Sequence, residues 1–239
     1  MTRTPGLMVL AATALMCAVP ALSAPPKAKS GGSPLPKFPF ASGRVTYKFD
    51  AGMAKGTQVL SWIENGKRSR QDISMKLPTG AGGAAAGPGG KPMPASIETW
   101  AITDEKYVYT QNSMMGPNVQ RMEIKKLAGG RAPMAGGPAI AAPSDLGKPV
   151  GKATIAGKPC EIFQKGKAKW WVWQKLPLKI EASSERGAVS FEATKVEAPT
   201  SVDAARFKVP AGAKIVDVDP HAMMGGGGGR PRMGTPPTN

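Results

Sequence analysis

Apolar and polar residues alternate with a period of two along most of the chain between residues 42 and 219. Val45, Tyr47 and Phe49, for example, alternate with polar neighbours. Such alternation is typical of a β-strand with one buried face. The same pattern predicts further strands at 58–64, 69–77, 96–103, 106–112, 118–126, 150–157, 159–165, 168–174, 177–183, 188–197 and 213–218.

Short polar turns separate most of the predicted strands. Asn65-Gly66 readily adopts positive φ and therefore predicts a two-residue hairpin turn. Sequential strands joined by short turns favour an antiparallel meander, because parallel strands need long crossovers. One short helix is predicted over Val202–Arg206, with Ser201 as its N-cap.

About eleven strands would expose one face and two edges if they stayed in a flat open sheet. We therefore predict a mainly all-β fold, a curved antiparallel sheet or incomplete β-barrel with at most one short helix. Both faces are apolar in strand 168–174, where Trp171 and Trp173 point away from Trp170 and Val172. The second face should be covered there by the protein's own loops or by a ligand.

Glycine and proline, with 30 and 24 residues, are concentrated in four stretches that are predicted to be disordered. These stretches divide the chain into parts. The predicted parts are a signal peptide (1–23), a Pro/Lys-rich disordered linker (24–41), a single antiparallel β domain (42–219) with disordered inserts at about 79–95 and 128–146, and a disordered Gly/Pro/Met tail (220–239).

The N-terminus has the pattern of a secretory signal. Arg3 precedes the apolar stretch Leu7–Val19, and small residues follow it. The stretch is shorter than the ~20 residues that a membrane-spanning helix needs. Cleavage is predicted after Ser23, which makes the mature protein periplasmic or secreted. Cys17 does not fit a lipoprotein signal, because Met16 before it is too large.

Cleavage after Ser23 would leave Cys160 as the sole cysteine, so no intramolecular disulfide is expected. Cys160 lies in a strand-like context, Pro159-Cys160-Glu161-Ile162-Phe163. A small buried apolar residue is favoured there over a reactive thiol.

The chain is strongly basic, with 32 Lys and Arg against 16 Asp and Glu. Such a charge favours anionic partners, for example lipid head groups or another anionic envelope component. The alternative is a solvated charged rim without a partner. The candidate residues for an anionic-partner rim are Lys67, Arg68, Arg70, Lys167 and Lys169.

Sequence motifs of catalysis are not found. The single histidine, His221, borders the glycine-rich tail, where a catalytic base would not be held rigidly. A P-loop, a dinucleotide fingerprint and zinc-ligand spacing are lacking. We expect a protein that is not an enzyme and has no cofactor or metal. The less favoured alternative is Cu(I) binding by His221 and the methionines near it.

Tryptophans are the candidate ligand-binding residues. Trp62, Trp100, Trp171 and Trp173 offer large apolar surfaces that would suit acyl chains on a concave face. Aromatic residues in strands are more often simply core. Basic and aromatic residues alternate onto one face within 167–173, but nucleic acid is not expected as a partner of an exported protein.

Motifs in the C-terminal part resemble those of a known group. They are Gly157–Phe163, Trp171–Trp173, Leu176–Glu181 and Phe207–Gly212. Their order is similar to that in periplasmic proteins of the lipoprotein-carrier-like (LolA/LolB/RseB-type) superfamily, particularly an uncharacterised branch, over roughly residues 42 to 218. The resemblance implies a curved antiparallel sheet whose concave apolar face receives acyl chains in the better-known carriers. Those carriers open with an amphipathic helix, where this chain has a Pro/Lys-rich linker.

Two functional hypotheses follow. In the first, a non-enzymatic periplasmic protein holds an acyl chain, phospholipid or lipoprotein in a half-barrel. In the second, the protein is a structural or protein-interaction module of the envelope without a small-molecule ligand. A filled interior without a pocket would favour the second.

Overall fold

The computed structural model of the chain describes residues 38–52, 54–76, 95–126, 146–184 and 187–219. These residues form a single curved, unclosed sheet of twelve strands. The prediction of a mainly all-β, curved sheet is confirmed. The strands are β1 (Gly43–Asp50), β2 (Lys55–Ile63), β3 (Arg68–Lys76), β4 (Ser96–Thr103), β5 (Tyr107–Asn112), β6 (Val119–Glu123), β7 (Gly151–Ile155), β8 (Lys158–Lys165), β9 (Ala168–Trp173), β10 (Leu176–Ser184), β11 (Gly187–Glu197) and β12 (Ile215–Asp217).

Several predicted features lie outside the described residues. They are the signal peptide 1–23 with Cys17, most of the linker 24–41, nearly all of the inserts at about 79–95 and 128–146, and the tail 220–239 with His221. Phe38, which falls within the predicted linker 24–41, is buried in the main core.

The strand order is β12-β6-β5-β4-β3-β2-β1-β11-β10-β9-β8-β7. Strands β1–β6 form one antiparallel meander and β7–β11 another, and the two join where β1 pairs with β11. The expectation of antiparallel pairing throughout is wrong at β12, which pairs parallel with β6. The long segment 198–214 between β11 and β12 supplies the crossover that a parallel pair needs.

Two irregularities in strand pairing bend the sheet. The register between β1 and β11 skips Thr194, and the register between β9 and β10 skips Leu178. An extra residue on one strand bends that strand and increases its twist. Leu178 is fully buried. The irregularity in β10 therefore also places a side chain in the main core.

The loop between β2 and β3 differs from the predicted two-residue turn at Asn65-Gly66. It spans Glu64–Lys67, and its first three residues all have positive φ. The reason is a tertiary contact. The Asn65 amide donates to the Ala41 carbonyl at 2.9 Å, and the Asn65 carbonyl accepts from the Phe38 amide at 3.1 Å. The loop adopts the conformation that binds the segment before β1.

The predicted helix Val202–Arg206 is a shorter 3₁₀ turn, Ala204–Phe207. Its N-cap is Asp203, whose carboxylate accepts from the Ala205 amide at 2.9 Å, and the prediction of Ser201 as the cap is wrong. Within the described ranges, no helix has the length and hydrophobicity needed to cross a membrane.

The main core occupies one face of the sheet and spans both meanders. Its buried residues are Phe38, Val45, Tyr47, Leu60, Trp62, Cys160, Trp173, Leu176, Leu178 and Ala193. The opposite face is covered in places by the protein's own connecting segments. After β11, Val202 and Phe207 pack on Ile63. Before β7, Leu146 packs on Phe163 and Val172.

Candidate functional site

The four candidate tryptophans do not share one face of the sheet. Trp62 of β2 and Trp173 of β9 belong to the main core, and Trp171 packs against it. Trp100 of β4 pairs with Asp72, a residue on the face opposite Trp62. The Arg70 guanidinium lies over the Trp100 ring, 5.4 Å from its centroid. The structure therefore brings three of the four tryptophans together and separates the fourth.

The segment Phe38–Ser42, which precedes β1, covers the tryptophans of the main core. The Phe38 ring stacks on Trp62 with centroids 4.6 Å apart and 13° between the planes. The Phe40 ring packs against Trp173 at 5.1 Å. Trp62 is 0% exposed and Phe38 is 4% exposed. Side chains of the protein itself thus occupy the surface that the sequence predicts to receive a ligand.

Hydrogen bonds hold this covering segment at both ends. The Trp62 indole Nε1 donates to the Phe40 carbonyl at 2.9 Å. The Asn65 backbone bonds to Phe38 and Ala41, as described above. The sequence contains a signal for this contact, because two phenylalanines flank Pro39 inside a stretch that otherwise lacks aromatic residues. From composition alone, residues 24–41 are predicted to be a disordered linker.

Tyr47 connects the two meanders beneath the covering segment. Its hydroxyl donates to the Pro177 carbonyl at 3.0 Å, and the side chain is 1% exposed. Burial raises the pKa of the Tyr47 phenol above its ordinary value. The phenol therefore stays protonated and remains a hydrogen-bond donor over the whole physiological pH range.

Polar side chains also lie on the face of the sheet that carries the main core. Gln58 of β2 and Thr99 of β4 both pair with Ile73 of β3, and Gln71 lies two residues before Ile73 on the same face. All three are buried, and Gln58 Oε1 and Nε2, Gln71 Oε1 and Thr99 Oγ1 have no hydrogen-bond partner among the described residues. These atoms are already shielded from solvent, and an acyl chain beside them would supply no hydrogen bond to reduce the cost of the unsatisfied polar groups. This part of the face does not suit a purely apolar ligand.

Cations flank the tryptophans of β9. Lys158 Nζ lies 4.9 Å from the Trp173 ring centroid, and Lys179 Nζ lies 5.0 Å from that of Trp171. Lys179 also binds Glu181 at 2.9 Å. The hydrogen bond from Lys179 to Glu181 raises the pKa of Lys179. Lys179 therefore remains charged and stays over the indole.

The five candidate rim residues form two groups. The first group consists of residues of β3 and the loop before it, each of which already has a carboxylate as an ion-pair partner. Its ion pairs are Lys67 with Glu105 at 3.3 Å, Arg68 with Glu64, and Arg70 with Asp72 at 2.7 Å. An anionic partner would have to compete with these carboxylates.

Lys167 and Lys169 form the second group. They line a shallow cavity of about 280 Å³ on β9–β11, and neither has a carboxylate within ion-pair distance in the described part of the chain. Glu181 also lines this cavity but binds Lys179. The turn that presents Lys167 requires positive φ at Gly166, 60°. The remaining lining residues are Ala182, Ser183, Ala188, Val189 and Ser190.

Cys160 has the environment that is expected for a structural residue. It is 2% exposed, and its Sγ donates to the Lys158 carbonyl at 3.4 Å. Burial raises the pKa of the thiol and so disfavours the reactive thiolate. The described residues contain no group of three or more His, Cys, Asp or Glu side chains that could hold a metal ion.

Comparison with known proteins gives structural likenesses only. No family model and no curated protein matches the chain. An uncharacterized conserved protein from Thermus thermophilus has a similar structure, with 10% identity over 74% of this chain and 91% of that chain and a TM-score of 0.44. MucB in complex with MucA(peri) is similar with 14% identity over 74% of this chain and 57% of that chain, TM-score 0.40. PNGF-II is similar with 9% identity over 77% of this chain and 33% of that chain, TM-score 0.35. At such identities and TM-scores, the likeness says nothing about what this chain binds.

Proposed function

We propose that this chain is an exported, non-enzymatic envelope protein that recognises an anionic partner on its surface and carries no small molecule inside its sheet. The observation that supports this most is the burial of Trp62 beneath Phe38, with Trp173 beneath Phe40. The buried polar atoms of Gln58 add to it, because they do not suit an acyl chain.

The basic surface supports the anionic partner. Lys and Arg outnumber Asp and Glu by 32 to 16 in the whole chain. Among the described residues that line the Lys167 and Lys169 cavity, Glu181 is the one carboxylate, and it binds Lys179, which leaves the two lysines available to an incoming anion. The secretory pattern at Arg3 to Ser23 is the basis for placing the protein in the periplasm or outside the cell. The motif order in 157–212 supports a place in the lipoprotein-carrier-like superfamily.

Transport of an acyl chain, phospholipid or lipoprotein is the second candidate. The apolar Trp62 and Trp173 surface is covered by one short segment, Phe38–Ser42, at the end of the Pro/Lys-rich stretch. If a partner displaced that segment, an apolar chain would meet two indole rings. This function requires an opening step that the first candidate does not.

Intact-mass measurement separates the two candidates and tests export at the same time. The protein should be recovered from the periplasm of a producing bacterium and measured by native mass spectrometry. We expect the mass of a chain that begins at Ala24, without bound lipid, and no uptake of a fluorescent fatty acid. Lipid that co-purifies with the unaltered protein would contradict the proposal, and a retained N-terminus would contradict export.

The double variant Phe38→Ala/Phe40→Ala removes the aromatic rings that cover Trp62 and Trp173, and its fatty-acid uptake should be compared with that of the unaltered chain. Uptake of fatty acid by this variant, but not by the unaltered chain, would favour the second candidate. Phe163→Ala is the matched control, since it removes a buried phenylalanine from the opposite face. Equal uptake by both variants would reflect loosened packing instead of an opened groove.

Neutralising the two unpaired lysines should weaken binding to an anionic surface. For Lys167→Gln/Lys169→Gln, we expect partition onto vesicles containing phosphatidylglycerol to fall roughly tenfold or more, because each lysine near an anionic surface contributes to binding. Cosedimentation at low ionic strength is the measurement, and added salt should reduce the difference.

Lys208→Gln/Lys214→Gln is the charge-matched control, since both lysines are exposed and lie on the segment leading to β12. We expect this variant to keep most of the binding. Equal losses in the two double variants would show that net charge alone drives attachment and that the Lys167 and Lys169 cavity has no special role.

A further inference from the structure

Three buried side-chain atoms on the face opposite the main core have no hydrogen-bond partner among the described residues. They are Arg44 Nε, Ser61 Oγ and Arg206 Nε. Arg44 of β1 pairs with Ser61 of β2, and Ser61 pairs with Arg70 of β3, so these side chains form one row across three strands. Side chains directly opposite each other in such a row are in contact distance.

The segment after β11 closes over this row. Val202 and Phe207 pack on Ile63, the neighbour of Ser61 on the same face. Arg206 reaches β3, where its Nη2 donates to the Asp72 carboxylate at 2.6 Å. Arg70 Nη1 donates to the Arg206 carbonyl at 3.0 Å, which fixes the segment above the strands. Arg206 is thereby held on the same side of the sheet as Ser61.

The charges of this cluster do not balance. Arg70 and Arg206 share one carboxylate, Asp72. Arg44 has no carboxylate within ion-pair distance in the described ranges; its register partner Glu197 binds Lys195 at 2.9 Å instead. A half-buried guanidinium with an unsatisfied N–H and no counter-charge is unfavourable. Three guanidinium groups therefore share one carboxylate, which leaves an excess of two positive charges and two Nε–H groups without an acceptor among the described residues.

We propose that a phosphate group, free or as a monoester, binds between Arg44 and Arg206 above Ser61. Guanidinium groups bind such oxyanions through charge-assisted hydrogen bonds, and the serine hydroxyl adds a donor. A buried water molecule would satisfy the same N–H groups. It would supply no charge, and the excess of guanidinium groups over carboxylates distinguishes the phosphate from the water.

The proposed phosphate site is separate from the Lys167 and Lys169 cavity, on which the proposed function depends. Lys167 and Lys169 lie on β9 and the turn before it, whereas the arginine site lies on β1–β3 and the segment after β11. Loss of vesicle binding in the lysine variant leaves the phosphate proposal intact, and the reverse also holds.

Titration calorimetry with inorganic phosphate tests the proposal on the full mature chain at constant ionic strength in chloride. We expect saturable binding of one phosphate per chain. Arg44→Gln should lower the affinity about tenfold or more, the equivalent of one lost charge-assisted hydrogen bond. Arg44→Lys keeps the charge but not Nε, so its affinity for phosphate should lie between those of the unaltered chain and Arg44→Gln. This variant provides the readout if Arg44→Gln does not fold.

Two controls complete the experiment. Lys208→Gln removes an exposed positive charge near Arg206 and should bind phosphate normally. Glycerol 3-phosphate in place of phosphate distinguishes the sources: comparable affinity indicates a site for a phosphate ester, and binding of inorganic phosphate alone indicates a site for the free ion. Absence of saturable binding, or equal binding by Arg44→Gln and the unaltered chain, would overturn the proposal and leave a water-filled cluster.

Discussion

Replacing Trp62 by alanine is expected to lower the free energy of unfolding by about 3–5 kcal/mol, the usual range for removing a buried tryptophan. The indole is 0% exposed, stacks on Phe38 and donates to the Phe40 carbonyl. The change would leave a cavity beneath the covering segment and remove one of its hydrogen bonds. Equilibrium denaturation with urea measures the loss directly.

Trp100→Ala is the matched control for this prediction. Trp100 is half-buried on the opposite face and contacts the Arg70 guanidinium across its ring. We expect a loss of about 1 kcal/mol, in line with a cation–π contact at a partly exposed site. A similar loss for both tryptophans would mean that the covering segment does not seal the core at Trp62.

Gly56→Ala should lower the free energy of unfolding by about 3 kcal/mol, the upper end of the usual cost of overpacking. A Cβ at Gly56 would collide with the Ser74 carbonyl and would lie 2.8 Å from the Phe49 ring. The Ser74 carbonyl is a backbone atom of the neighbouring strand β3 and cannot rotate away. The substitution should push β2 and β3 apart beside the Phe49, Ile73 and Phe191 cluster.

Gly151→Ala provides the comparison, because it makes the same chemical change in edge strand β7. The nearest atom to its Cβ would be Ile162 Cδ1 at 3.5 Å, an ordinary contact. We expect a small gain or no change, since alanine reduces the freedom of the unfolded chain. A large loss at Gly151 or none at Gly56 would contradict the packing described for these strands.

The strands were predictable because each one carries its own alternation. The bounds of β4, Ser96–Thr103, coincide with the predicted range. The pairing of β1 with β11 was not predictable, because alternation shows which face of a strand is buried and not which distant strand lies beside it. The same limit applies to the parallel pairing of β12, which depends on the path of the segment after β11.

The candidate site was predictable only in part. Large apolar residues such as Trp62 and Trp173 were recognisable from residue type, but the position of Trp100 on the other face depends on the register between strands. The covering role of Phe38 was not predicted, because the Pro/Lys-rich composition around it indicates a disordered linker. The arginine cluster joins residues from β1 and from the segment after β11, so no local pattern could bring Arg44 and Arg206 together.

The pairing of β1 with β11, which joins the two meanders, has a consequence for the unfinished chain. Of the strands that the structure describes, β1 comes first in the chain, and its outer edge has no strand to pair with until β11 has been made, because β2 pairs with the other edge. Until then, a chain that has been made as far as β6 presents a bare strand edge beside unfilled apolar surface. Such edges promote association between nascent chains.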